Sequence, residues 1–141
     1  MNPASKNLTD IAALRRRLDA IPLFITFGYR VGELGEGTAA ITAPYHPKHD
    51  GIFESFHGGL LMTLADSAAC AAVLTLAGHD ATVTTTDMNI RFLAPCRADA
   101  VAEARVIKFG KTLCPVAVTL RDAAGKDVAV AQVTYMRLQK T

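Results

Sequence analysis

Residues 58–77, GGLLMTLADSAACAAVLTLA, form an almost unbroken apolar run with a single charge, Asp66, near the middle. Its twenty residues equal the length of a membrane span. Three features argue against that reading. An aspartate at the centre of a bilayer costs about 2.5–3.5 kcal/mol on insertion scales. The run uses alanine at least as much as leucine and has no Trp or Tyr at its ends. The segments C-terminal to it alternate in the manner of amphipathic strands. A helix that is apolar on all sides, in a chain with ordinary polar segments, is one enclosed by the rest of its own fold. The run therefore predicts one long buried helix and leaves a question: what Asp66 is doing in it.

The rest of the chain supplies the enclosure. Thr9 and Asp10 are candidate caps for a short helix carrying Ile11, Leu14, Leu18 and Ile21 at helical spacing, with Pro22 helping to end it. FGYRVGELGEGTAAITAPY (27–45) reads as two strands around a turn at Gly35-Glu36-Gly37, and no helix comes after these glycines to make them a nucleotide loop. YHPKHDGIFESF (45–56) is a polar loop. After the long helix come four strand-like segments. In one of them Val116, Val118 and Leu120 share a face and Ala117, Thr119 and Arg121 share the other. Residues 123–126, AAGK, form a hairpin turn. The expected fold class is α+β: a curled antiparallel sheet of five to six strands around the long helix, preceded by a helical segment within residues 1–22, all in one domain of 141 residues.

Composition narrows the function. Half the residues are hydrophobic and 20% are charged, which suits a packed core. A net charge of +2, with basic residues scattered apart from Arg15-Arg16-Arg17, gives no footprint for nucleic acid, and the arginine run reads as a solvated helix face. Cys70, Cys96 and Cys114 are odd in number and lack C-x-x-C spacing, so they read as reduced thiols. With no apolar leader at the N-terminus, a cytoplasmic protein is expected, bound neither to membrane nor to nucleic acid. His46, His49 and Asp50 have spacing that can hold a metal, but Pro47 breaks any helix there, and no metal is expected.

Three stretches carry a resemblance: HGGLLMTLADSA (57–68), TTTDMNIRFLAP (84–95) and FGKTL (109–113). Together they resemble the hotdog-fold acyl-CoA thioesterases, most closely the phenylacetic-acid-degradation (PaaI-like) type. The resemblance implies the hotdog fold and hydrolysis of acyl-CoA thioesters carrying an aromatic or medium-chain acyl group. Asp66 is then the catalytic carboxylate, as general base or nucleophile. The Gly58 backbone N–H polarises the thioester carbonyl, His57 holds that loop, and Thr85 stands near the attacking water. Gly59, Gly51, Met62, Arg91 and Lys111 are the substrate-binding candidates, and Arg97 and Lys108 are further cations that can meet the phosphates of coenzyme A. No cofactor is implied beyond the coenzyme A of the substrate. One departure stands out: the family carries Asn or Gln six residues before the histidine and Gly three before it, where this chain has Gly51 and Glu54. His49 or Asp50 of the same loop is the candidate replacement.

The residues support this chemistry independently. A helix N-terminus offers unpaired N–H groups and partial positive charge. Glycines let a substrate come close to that backbone. Such donors stabilise the oxyanion formed when a thioester is attacked, and a carboxylate can activate the attacking water. Asp66, however, lies nine residues after His57, roughly 13 Å along a helix and half a turn around it. It cannot serve the start of its own helix, so a catalytic reading requires a homodimer with a shared site, expected to pair further into a dimer of dimers. Other readings remain. Asp66 can be a buried aspartate satisfied by Thr63, Ser67 or a backbone group. Cys70, one turn on, can pair with a histidine as a nucleophile, although His57 is too distant. The chain can be a weakly catalytic or non-catalytic acyl-CoA binding module. It can also be a hotdog dehydratase of hydroxyacyl thioesters, for which no His-Phe-Pro loop is present.

Overall fold

A computed structural model of the chain describes residues 9–139. Helix α1 (Ile11–Asp19) begins at Asp10, whose carboxylate accepts the Ala13 N–H at 3.0 Å; that bond holds the Asp10 carboxyl below its usual range. Its apolar stripe buries Leu14 and Leu18 completely or nearly so. Pro22 does not merely end this helix. It opens a second one, α2 (Pro22–Phe27), because proline at the first helical position loses no hydrogen bond, and Gly28 at φ 67° closes it. Two turns of helix with one buried aromatic, Phe24, are too short for periodicity to announce.

The sheet has six strands: β1 (Arg30–Gly35), β2 (Thr38–Ala43), β3 (Thr82–Phe92), β4 (Ala100–Val106), β5 (Leu113–Asp122) and β6 (Asp127–Leu138). All neighbours are antiparallel, in the order β1-β2-β4-β5-β6-β3. The expected α+β architecture is therefore observed at six strands, curled around helix α3 (Gly58–Ala77) as in the hotdog fold. Short side chains permit the close approach. Ala65, Ala68, Ala69, Ala71 and Ala72 of α3 have no exposed surface, and they meet a sheet whose inner face carries Ala39, Ile41 and Ala43 on β2 and Ala100, Ala102 and Ala104 on β4. Larger residues at these positions would hold helix and sheet apart.

Asp66, Cys70, Met62 and Ser67 lie on the part of α3 that this sheet leaves half-covered. The arginine run is not simply a solvated face. Arg15 donates to the Val31 and Gly32 carbonyls at 2.8 Å each, and Arg17 donates to those of His79 and Ala81, while Thr9 Oγ1 donates to the Leu74 carbonyl. These bonds strap α1 across β1 and the far end of α3.

Candidate active site

The carboxylate of Asp66 is held from the sheet side. Thr85 Oγ1 on β3 donates to its Oδ1 at 2.8 Å, and the Tyr135 hydroxyl on β6 reaches the same oxygen at 2.7 Å. The Tyr135 oxygen also lies 3.0 Å from the Asp66 carbonyl. Asp66 Oδ2 has no hydrogen-bond partner among the described residues. Thr63 and Ser67, the expected partners for a satisfied buried aspartate, instead donate to the carbonyls of Gly59 and Thr63, one turn back along the helix. The outcome is a carboxylate fixed through one oxygen, with the other available to a water or substrate atom.

Burial, the main cause, pushes the Tyr135 hydroxyl far above its usual range, with the neighbouring Cys70 and Asp66 adding to it; Tyr135 is therefore a permanent donor. Burial likewise pushes the Cys70 thiol up to about 11, with the Asp66 charge contributing. A thiol so raised is protonated at neutral pH, which argues against a nucleophilic Cys70.

At the start of α3, His57 is the N-cap. Its Nδ1 accepts the Gly59 N–H at 2.9 Å, and its own backbone N–H donates to the His49 carbonyl at 2.9 Å. The Gly59 amide is thereby occupied, whereas the Gly58 amide has no partner among the described residues. Gly58 also leaves room at the helix start. A Cβ there would stand 3.0 Å from Cζ of Phe92, so the missing side chain is what lets this ring lie against the helix start. Phe92, Phe53, Leu61 and Leu93 flank Gly58 in a groove of about 490 Å³. A larger concavity of about 700 Å³ lies on the outer face of β1, β2, β4 and β5 and contains none of these residues.

The loop before His57 closes through an Asp50–Phe56 bridge, with the Gly51 N–H donating to the Ser55 carbonyl at 2.8 Å. Glu54 occupies its tip at φ 54°, in the left-handed region, at the place where the resembling proteins carry glycine. Both expected replacements for the missing amide side chain make contacts of their own. The His49 ring packs edge-on against Phe27 and beside Phe56, and the Asp50 carboxylate is engaged by the Tyr45 hydroxyl at 2.8 and 3.0 Å. Among the described residues no three His, Cys, Asp or Glu side chains converge as metal ligands do.

Of the remaining candidates, Met62 lies one turn before Asp66 and is half-buried. Lys111 is exposed in the turn between β4 and β5. In that turn Gly110 is indispensable, because a Cβ would meet the Leu113 carbonyl oxygen at 2.3 Å. The turn sits at the Tyr135 end of the sheet, since Leu113 pairs with Met136 and Cys114 with Tyr135. Arg91 lies on the opposite face of β3 from Met88 and Ile90, which pack on the core. Arg97 is bound to the Glu54 carbonyl at 3.1 Å.

The structure thus joins Asp66 to Thr85 but not to Gly58. Helix α3 is continuous, and the eight residues from Gly58 to Asp66 span about 12 Å of it. Tyr135 is the site residue that sequence reasoning misses. Its signal in the sequence is a hydroxyl at an inward position of β6, two residues after the buried Val133.

The thioesterase superfamily model matches residues 53–129. A putative esterase of Halobacterium salinarum is 30% identical over 138 residues, covering 89% of this chain and 91% of its own. Acyl-coenzyme A thioesterase 13 of Homo sapiens is 36% identical over 85 residues, 58% of this chain and 60% of its own length. The crystal structure of a thioesterase family protein from Silicibacter pomeroyi superposes with a TM-score of 0.86 at 26% identity, covering 92% of this chain and 98% of that one.

Proposed function

The chain belongs to the thioesterase superfamily, and from that premise we propose that this thioester hydrolase cleaves acyl-CoA to free acid and coenzyme A at a site shared between two copies of the chain. One observation carries the reading: Asp66, the lone charge of an apolar helix, is held through Oδ1 by Thr85 and Tyr135 while Oδ2 stays open. In the proposed reaction Oδ2 takes a proton from water, the water oxygen attacks the thioester carbon, and the carbonyl oxygen accepts the Gly58 N–H as its charge develops. Collapse of the tetrahedral species breaks the C–S bond, and the departing thiolate receives the proton.

Because Asp66 and the Gly58 amide of one chain are about 12 Å apart along α3, the amide comes from a partner copy. The apolar groove at the helix start suits an aromatic or medium-chain acyl group, which is the phenylacetic-acid-degradation type of reading. Lys111, at the same end of the sheet as Thr85 and Tyr135, is proposed to meet the phosphates of coenzyme A.

Incubating the protein with a panel of acyl-CoAs and a thiol reagent tests the reading. Hydrolysis frees one thiol per acid formed. Binding without thiol release makes the chain a binding module instead. Conversion of a hydroxyacyl-CoA without thiol release makes it a dehydratase.

A further inference from the structure

Two segments run side by side along the groove at the start of α3. The Phe92 ring lies against Gly58, the Phe56 N–H donates to the Cys96 carbonyl at 2.8 Å, and Arg97 Nε donates to the Glu54 carbonyl at 3.1 Å. Arg97 therefore marks the end of the groove opposite the Gly58 amide. Glu54 and Gly58 are four residues apart, which at full extension is at most about 14 Å. The bends at Glu54 and Ser55 bring the two ends closer than that.

The lining is mainly apolar, with Phe53, Leu61, Phe92 and Leu93, and Arg97 is the only charge in it. Of its other polar groups, the Cys96 thiol is engaged by the Ala98 carbonyl at 3.2 Å. The half-buried Ser55 hydroxyl has no partner among the described residues. An apolar groove with a few polar groups at fixed places reads one end of its ligand.

The arginine is held so that its fork stays open. It binds the backbone of Glu54, and no ion pair joins it to the Glu54 carboxylate or to any other among the described residues. Glu54 is the one non-glycine residue at positive φ among the described residues, and that left-handed turn fixes where its carbonyl points. With Nε spent on that carbonyl, the two terminal nitrogens have no hydrogen bond among the described residues. Those two nitrogens form a planar edge that matches the two oxygens of a carboxylate.

Resting on the thioesterase reading, we infer that the acyl group cleaved here ends in a carboxylate, which Arg97 holds while the thioester carbonyl lies at the Gly58 amide. The substrate class is then the mono-coenzyme A thioester of a medium-length dicarboxylic acid. Its methylenes fill the apolar middle of the groove, and the Ser55 hydroxyl offers a further donor near the charged end. A site that hydrogen-bonds a polar group discriminates against the analogue lacking it, since its own donors are then left unpaired.

The test compares suberoyl-CoA with octanoyl-CoA, eight-carbon chains that differ in the terminal carboxylate, on the full chain and on Arg97→Met and Arg97→Lys. The wild-type protein should prefer suberoyl-CoA about tenfold or more in kcat/KM, mainly through KM, because the contact is the same in the ground and transition states. The ratio should fall to about one in Arg97→Met. Arg97→Lys, which keeps the charge and loses the fork, should retain only part of it. Melting curves establish that each variant is folded. A wild-type ratio near one, or a preference that survives in Arg97→Met, overturns the assignment. So does a variant that weakens both substrates alike, because that places the arginine on the phosphates the two share. Calorimetric binding to the Asp66→Asn protein reads the same ratio without turnover. If the wild-type protein hydrolyses neither compound, the thioesterase reading fails, and the binding ratio still decides for or against Arg97.

Discussion

The Tyr135 hydroxyl lies 2.7 Å from Oδ1 of Asp66 and 3.0 Å from the carbonyl of the same residue, so one phenol holds both the side chain and the backbone of the only charged position in α3. Tyr135 is 5% exposed. Its contact is thus sheltered from competing water, and hydrogen bonds to a charged group in such a setting are among the stronger ones.

Removing that hydroxyl in Tyr135→Phe should lower kcat about tenfold with KM little changed, and should cost about 1–2 kcal/mol of stability. In an Asp66→Asn background the same change should produce no further loss of kcat, because Tyr135 acts through Asp66. Steady-state kinetics on the four proteins of this cycle check it; a tenfold loss that persists without the carboxylate would assign Tyr135 a structural role only.

Asp66→Asn should cut turnover about 10²-fold or more while acyl-CoA binding and the melting temperature stay close to wild type. The asparagine retains an oxygen that can accept from Thr85 and Tyr135, so packing is preserved and only proton removal is lost. A near-normal rate in the folded variant would exclude Asp66 from the chemistry.

Gly58→Val should abolish most activity at small cost in stability. Its Cβ would meet Phe92, whose ring is half exposed and free to swing away, but the displaced ring and the new methyls then crowd the N–H donor. Turnover and a melting curve on the same sample check both halves of the statement. Full activity places the oxyanion donor elsewhere.

Mixing folded Asp66→Asn and Gly58→Val subunits should restore activity. Random exchange makes about half the dimers mixed, and in each of these one of two equivalent sites receives an intact Asp66 and an intact Gly58. Recovery should approach roughly a quarter of wild-type activity. No gain in verified heterodimers would mean that the two groups belong to one chain's site or do not cooperate at all.

Cys70 should resist alkylation by iodoacetamide near pH 8 in the folded protein, because burial pushes its thiol up to about 11 and leaves it protonated there. Labelling should accelerate only as the pH approaches that value. Cys70→Ala should retain most of the turnover. Mass spectrometry of labelled peptides and a rate assay test the pair of statements, and rapid labelling at pH 8 would contradict the first.

Much of this protein is legible in its sequence wherever the signal is local. The apolar run of residues 58–77 sets the limits of α3 and its burial, and alternation in residues 113–122 sets the inward face of β5. The helix rise alone separates Asp66 from Gly58, so a reading that brings both to one carbonyl needs a second chain. The capping side chain at Asp10 is likewise a property of a few adjacent residues. Helix α2 escapes notice because six residues carry too little periodicity and Pro22 signals both an end and a beginning.

What only the tertiary structure decided is long-range. Strand order is not written in any one strand, so it took the folded sheet to leave β3 at the edge with Asp87 and Arg91 on its open face. The arginines of α1 bind carbonyls as far as 64 residues away, where the sequence shows only a run of charge. Asp66 draws its partners from 19 and 69 residues away. Their arrival depends on how two strands pair and which way their side chains alternate. The sequence could single out Asp66, but only the fold could bring the two hydroxyls to one oxygen and leave the other without a partner among the described residues.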